Sequence, residues 1–387
     1  MTVSTSFIET PPAWTRGAPP ESTVAVTSQC ALARNFDDLP FPARCSHEDK
    51  RDIEERVIRA LEQLDMLQAG RYYALKDLSP VEAQFLAERR FITWELLCAN
   101  GPRGVYVSGD QSLSLMVNGA DHLCIRVIKG GLQLEEAWAA VSLFEETLSE
   151  ALDFAFQSRL GYLTADLGHV GTGLVASVLL HLPALAAGNR IGEQASQASG
   201  QRLMLSGVKA GGVKDGGRHA RNPMAVDAES RLDQALYSGM RGGLPCAVNE
   251  TVGDLFLLGN ESTLGETEEE LVFRVRHMAT EAVRDERAAR QNLLRENSRC
   301  IEDRAGRARG VASGARLLDF DEAVRLLSDL RLGADTDLLE TGTVEQLNQL
   351  LLAAQGGHLQ LARGGACDTL ALSMDRADLF RHTFANH

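Results

Sequence analysis

Apolar residues recur along this chain at two spacings, and the switches between them lay out its elements. From His47 to Gln68 the positions Ile53, Val57, Leu61 and Leu64 return every three or four residues, which predicts a helix with one buried face. A second helix over residues 80 to 90 has a marked start. Ser79 offers an N-cap, Pro80 suits the first helical position, and Glu82 stands in capping-box register. The period then shortens to two. Val105 to Ser108 and Leu113 to Val117 flank Gly109-Asp110, and His122 to Ile128 alternates Leu, Ile and Val with polar residues, which predicts an antiparallel meander. Leu134 to Phe156 returns to helical spacing through Leu134, Trp138, Val141, Leu148, Leu152 and Phe156.

The stretch from Gly161 to Leu185 interrupts both periods. Tyr162 to Thr164 enters a polar turn, the chain passes through Gly171-Thr172-Gly173, and it leaves on Leu174 to Leu182, which is helix-compatible. Strand, glycine turn and helix start would place backbone N–H groups where the helix dipole favours an anion, making a candidate phosphate or carboxylate site, although most such turns are only tight turns. Residues 1–22 carry Pro11, Pro12, Pro19 and Pro20 and read as an irregular arm pinned by Trp14, while an apolar run from Val24 to Ala33 leads into Arg34-Asn35. Within a domain spanning 23–265, residues 187–235 are rich in Gly, Ser, Ala and Gln and read as a flexible insertion. Order is expected to resume near Leu236 and to include a strand over Asp254 to Leu258. Residues 266–387 read as a helical dimerisation domain, with helices from Thr267 to about Ala308, Asp319 to Leu330 and Val344 to Leu361.

Composition narrows the classes. The 387 residues are 44% hydrophobic, 24% charged and 5% aromatic, as in a soluble globular protein of more than one domain. A formal net charge of -14 argues against a general nucleic-acid or anionic-membrane binder. The 7 cysteines are scattered with no CxxC, so reduced thiols and a cytoplasmic location are expected rather than a zinc ribbon or a disulfide framework. No run approaches the roughly 20 apolar residues of a membrane span.

Residues 21–42, 114–127, 161–185, 252–265, 301–311 and 327–335 together resemble the bacterial protein-arginine kinases of the phosphagen (guanidino) kinase superfamily. The resemblance implies an α+β fold: a guanidino-kinase-like antiparallel sheet flanked by helices, followed by a helical C-terminal domain. It also implies a chemistry, transfer of the terminal phosphoryl group of ATP to a guanidinium. That reaction needs arginines to hold a polyanion, magnesium, and acidic groups to orient and deprotonate the acceptor.

Against the family motifs, this chain is altered where that chemistry sits. In SSRxRxxRN the phosphate-holding arginines fall on Gln29 and Ala31, beside Ser28, and only Arg34 and Asn35 remain. In NEEDHxRI the catalytic glutamate falls on Ala120 and the arginine on Cys124. In TxCPTNxGTGxRAS, Asp166, Leu167, Gly168 and His169 replace Cys, Pro, Thr and Asn, and Val175 replaces the arginine. In RGxxGEGSEAxGN the arginine falls on Gly242 and the second acid on Ala247; shifting by one restores Arg241 but puts Cys246 at the glutamate.

The expectation is a pseudokinase acting as scaffold, adaptor or regulatory partner, with a vestigial nucleotide pocket at Ser28, Gln29, Ala31, Cys124, Val175 and Gly242, lost catalytic positions at Ala120, Asp166 and Ala247, no cofactor and no metal. Mg-ATP would bind only if that reading fails. The alternative is a phosphotransferase with residual or repurposed activity that uses Asp121, His122, Asp166 and His169 for acid/base or metal work. The implied partners are a second copy, an active arginine kinase, a Clp-type unfoldase or a phosphoarginine client, with no nucleic acid or membrane. Arg376, in the remnant of the family's RDxxRA phosphoarginine motif, is either a contact for such a client or an ordinary helix-surface arginine.

Overall fold

The structure, a computed structural model, describes residues 3–208, 251–336 and 342–384. Its central element is β1 (Ala25–Arg34), with 9 of its 10 residues buried. Four strands follow: β2 (Gly70–Ala74), β3 (Gly104–Ser108), β4 (Leu113–Val117) and β5 (Leu123–Gly130). After a two-stranded hairpin of β6 (Phe156–Gln157) and β7 (Gly161–Tyr162) come β8 (Leu174–His181), β9 (Leu203–Gly207) and β10 (Leu255–Asn260). The large sheet has the order β2-β3-β4-β5-β1-β8-β10-β9, and every neighbouring pair is antiparallel. The expected meander is β3-β4-β5.

Both faces of this sheet are covered, and that explains a mistaken expectation. The apolar segment 174–182 is not a helix but mostly strand β8, paired with β1 on one side and β10 on the other. A strand buried on both faces loses the alternation that marks a half-exposed one, so an apolar run of this length fits either element. One face packs Leu32, Ile125, Val178 and Leu258 against the helices His47–Gln63 and Leu134–Ser149 and the first half of Glu268–Gly314. Each fully buried side chain of this size contributes about 1.5–3 kcal/mol.

The opposite face is divided. Toward β2 and β3, Tyr73, Val105, Val107 and Met116 pack with Phe85, Leu86 and Phe91. Toward β8 and β10, Leu179, Leu255 and Leu257 pack with Trp14 and with the C-terminal helices Phe320–Asp335, Val344–Ala353 and Thr369–Phe384.

Boundaries differ from expectation for identifiable reasons. The helix Leu134–Ser149 stops well before Phe156, which pairs in the β6-β7 hairpin instead. The helix His47–Gln63 ends before Asp65, whose φ of 55 opens a separate short turn of helix over Met66–Ala69. The reading of 187–235 as a flexible insertion is corrected at its start. Ile191–Gly200 is a helix and Leu203–Gly207 is the edge strand β9, because Ile191, Ala198, Leu203 and Leu205 supply enough apolar surface to join the core. The remainder of that segment lies outside the described residues.

The N-terminal arm holds a short helix, Thr5–Glu9, and a turn at Ala13–Thr15 that buries Trp14. The long helix Glu268–Gly314 kinks at Asn297, and a break after Ala353 divides the expected 344–361 helix into Val344–Ala353 and Gly356–Arg363. No helix among the described residues is long and apolar enough to cross a membrane.

Candidate functional site

Strand register assembles the candidate pocket. Ala31 lies opposite Val175 on β8 and Arg126 on β5; Gln29 lies opposite Ser177 and Ile128; and Ala33 lies opposite Cys124. Side chains alternate across a strand, so Gln29, Ala31, Cys124, Arg126, Val175 and Ser177 share one face, between the two apolar clusters described above. Ser28 does not join them. Its hydroxyl points to the other face, donating to the Gly131 carbonyl at 2.8 Å and accepting from the Gln133 amide at 3.0 Å.

Two guanidinium groups that no motif marked stand on the pocket face. Arg90, just past the helix Pro80–Glu88, donates to Thr27 Oγ1 at 3.0 Å and to Gln29 Oε1 at 2.9 Å. Arg126 donates to the Arg90 carbonyl at 2.9 Å, and both arginines are buried. Arg126 was within reach of sequence reasoning, because it follows Cys124 by two residues and so shares its face. Arg90 carried no comparable signal.

The retained Arg34 faces away from this pocket and fixes the glycine turn. Its Nε donates to Glu145 Oε1 at 2.7 Å, its Nη1 donates to the carbonyls of Ala33 and Thr172, and its guanidinium stacks 3.5 Å from the Tyr162 ring centre. Gly173 completes the fit. At φ 68, a Cβ there would stand 2.7 Å from the Ala33 carbonyl and 2.8 Å from Arg34 Nη1. Asn260 ties the far side of the turn to β8, accepting from Ala176 N at 2.8 Å and donating to the Leu174 carbonyl at 3.0 Å. Because Gly173 leads into a strand rather than a helix, the expected helix N-terminus for an anion is not present at this turn.

The four acid/base candidates lie around one loop, but each is engaged locally. Asp121 Oδ1 accepts from Asn35 Nδ2 at 2.8 Å and from the Ala165 amide at 2.6 Å, while Asn35 Oδ1 accepts from the His122 amide at 2.9 Å. His122 Nδ1 accepts from the Phe36 amide at 3.1 Å, which leaves the ring proton on Nε2, 2.9 Å from the Pro40 carbonyl and 3.4 Å from Cys45 Sγ. Burial pushes the His122 imidazole below its ordinary pKa. Asp166 Oδ1 caps Gly168 N at 2.9 Å, and its Oδ2 is 3.8 Å from His169 Nδ1. Among the described residues no group of three or more His, Cys, Asp or Glu side chains is arranged to hold a metal ion.

Ala120 sits half-buried in the β4-β5 turn beside Asp121. Gly242 and Ala247, with the alternative pair Arg241 and Cys246, lie outside the described residues. Arg376 is not a helix-surface arginine. It is fully buried, donating to the Ala354 carbonyl at 2.7 Å and the Leu318 carbonyl at 2.9 Å. A separate opening of about 490 Å³ lies beside the helix His47–Gln63, lined by Phe36, Asp37, Arg59 and Asp153 among others, and contains none of the predicted site residues.

Comparison with known proteins bears on the family and the fold. Residues 52–220 match the family model of the ATP:guanido phosphotransferase C-terminal catalytic domain, and residues 298–387 match that of the protein-arginine kinase McsB C-terminal domain. A protein-arginine kinase of Symbiobacterium thermophilum is 33% identical over 95% of this chain and 95% of its own length. The chain belongs to the protein-arginine kinase family. The corresponding kinase of Moorella thermoacetica is 32% identical over 96% of this chain and 97% of its own.

Among solved structures, lombricine kinase superposes with a TM-score of 0.53 at 19% identity, covering 70% of this chain and 68% of that one. The duplicated taurocyamine kinase of Schistosoma mansoni gives 0.52 at 20% identity, covering 70% of this chain and 34% of that one. These establish the guanidino-kinase fold. Arg34, Asn35 and Gly173 hold the loops together, whereas Gln29, Ala31, Cys124 and Val175 share one face of the sheet.

Proposed function

We propose that this member of the protein-arginine kinase family is a pseudokinase, a non-catalytic scaffold, adaptor or regulatory partner that keeps the fold without the phosphoryl transfer. The observation that carries this reading is the pocket face itself: Gln29, Ala31, Cys124 and Val175 lie on three adjacent strands with no guanidinium at any of the four positions. A charge-assisted hydrogen bond contributes about 1.5–3 kcal/mol, so four missing arginines remove roughly 6–12 kcal/mol of phosphate contacts, taken as an upper range because such terms do not add strictly. With alanine at position 120 the general base of the motif is missing too, a rate factor of about 10² to 10⁴. No bound nucleotide is needed for the proposed role; its partners would be a second copy, an active arginine kinase, a Clp-type unfoldase or a phosphoarginine client. For such a client Arg376 offers no exposed group, since its guanidinium binds carbonyls inside the helical region.

A second reading has one observation in its favour. Arg90 and Arg126 stand on the same sheet face, so a relocated pair of guanidiniums could meet a phosphate there with residual activity. Calorimetry with Mg-ATP and Mg-ADP separates the two. The pseudokinase reading expects no heat of binding at micromolar nucleotide, and micromolar affinity, followed by phosphoarginine detected by mass spectrometry in a mixed substrate protein, would overturn it.

A further inference from the structure

Away from the pocket, a buried cluster joins the kinase-like sheet region to the helical region and to the N-terminal arm. The helix Gly356–Arg363 has no side-chain cap of its own, since its N-cap Gln355 makes no capping bond. Glu88, from the end of the helix Pro80–Glu88, supplies the cap in its place. Its Oε1 accepts from the Gly357 amide at 2.6 Å, and its Oε2 accepts from the His358 amide at 3.0 Å and from His358 Nδ1 at 2.8 Å. A carboxylate at a helix N-terminus satisfies orphan N–H groups and meets the positive end of the dipole. The helices approach so closely that a Cβ on Gly357 would stand 2.9 Å from Glu88 Oε2 and from the Phe85 amide nitrogen.

With Nδ1 donating to Glu88, the lone pair of His358 Nε2 is available, and Arg89 Nε donates to it at 3.2 Å. The same guanidinium holds the arm. Arg89 Nη1 donates to the carbonyls of Phe7 and Thr10 at 3.0 and 2.8 Å and to Gln111 Oε1, its Nη2 donates to the Ile8 carbonyl at 2.6 Å, and Gln111 Nε2 donates to the same Phe7 and Thr10 carbonyls at 3.2 Å. Phe7 in turn packs among Tyr73, Phe85 and Phe91. The charged groups acting on His358 are Glu88 and Arg89, with Arg16 of the arm acting on Arg89 from beyond.

We propose that His358 is an acid-operated latch on the N-terminal arm: a proton on Nε2 removes one acceptor of Arg89 and loosens its hold on Phe7 to Thr10, leaving Gln111 to keep the arm more weakly, while Glu88 keeps the helix Gly356–Arg363 docked. The two effects diverge because protonation sets a donor against a donor on the Arg89 side but turns the Glu88 contact into an ion pair. Burial holds the His358 imidazole below its ordinary pKa, so the latch is closed above the usual histidine range and opens as pH falls through that lowered value. Arg89, held down at about 10, stays charged throughout. The latch is independent of whether the chain transfers phosphate.

Hydrogen exchange followed by mass spectrometry on the full chain tests it, comparing about pH 7.5 with about pH 5 after correction for intrinsic exchange rates. Amides in Phe7 to Thr10 are expected to exchange about tenfold faster at the lower pH while those of residues 356–363 keep their protection. His358→Asn, which can still donate to Glu88 but does not titrate, is expected to abolish the difference. An arm equally protected at both pH values, an arm and helix that loosen together, or an unchanged response in H358N would each overturn the proposal. Should H358N fail to fold, nitrogen-15 spectra of the histidine-labelled native chain decide instead: a His358 ring already doubly protonated at neutral pH, or protonated on Nε2 alone, is incompatible with the latch.

Discussion

The Arg34 side chain serves the fold. Three residues past Ala31, it pairs with Glu145 in a site where both are almost completely buried. Removing one partner of a buried pair leaves an uncompensated charge, so Arg34→Ala should cost about 3–5 kcal/mol, read as a lowered denaturant midpoint. Lysine at the same place could keep the charge but not the fork that reaches the Ala33 and Thr172 carbonyls. His122 makes a second prediction at this scale. Its imidazole is neutral with Nδ1 accepting from Phe36, and its pKa is lowered by burial, so its contribution is complete above about pH 6.5 and is lost as pH falls through the lowered value. Native stability should therefore fall on acidification, and His122→Asn should flatten that fall while lowering stability at neutral pH.

At the scale of the element, the glycine turn decides more than its length suggests. Gly173 at φ 68 sits where a side chain would collide with the Ala33 carbonyl, so Gly173→Ala should destabilise by well over about 1 kcal/mol and lower the thermal midpoint. The capping boxes are simpler. Ser79 accepts from Glu82 N at 3.2 Å while Glu82 Oε2 accepts from Ser79 N at 2.9 Å, and Ser79→Ala should cost about 1 kcal/mol, checked by chemical denaturation. That helix start was legible because cap, proline and glutamate are local signals. Strand β8 was not, because burial on both faces is imposed by neighbours distant in sequence, Met278 against one face and Val324 against the other among them. The helix Ile191–Gly200 was hidden for a related reason: Ala195 and Ala198 are weak apolar signals that become useful only against the core already in place.

For the molecule as a whole, the collinear motifs carried the fold further than periodicity could. Hydrophobic spacing alone predicted mixed helices and strands; the family frame supplied the antiparallel sheet and the helical end. The family motifs alone pick out Gln29, Ala31, Cys124 and Val175; that they share one sheet face was not legible, since the sequence of 174–182 predicts a helix and only the strand register brings Val175 beside Ala31. Arg90 was not legible either, since it reaches the face from a separate helix end. Restoring arginine at positions 29, 31, 124 and 175 together should raise Mg-ATP affinity to a level calorimetry detects while leaving exchange protection of the sheet in place. If the four-arginine chain folds and still shows no heat, the pocket has been closed by something besides those substitutions, Arg90 and Arg126 being the groups to remove next.

The helix Glu268–Gly314 has 47 residues, a contour of about 70 Å. Leu271, Val275 and Met278 on its first half belong to the core beneath the sheet, whereas Ala308 and Ala312 on its last turns belong to the cluster of the C-terminal helices. Two helical halves, joined without a loop at Asn297 where φ of -156 and ψ of 62 leave the helical region, are thus anchored one in each core. Force applied to the helical end would pass through this loop-free junction to the underside of β8 and β10, and heat should melt both cores in a single calorimetric transition. Inserting several glycines after Asn297, which would turn the tight junction into a slack one, should split that transition in two.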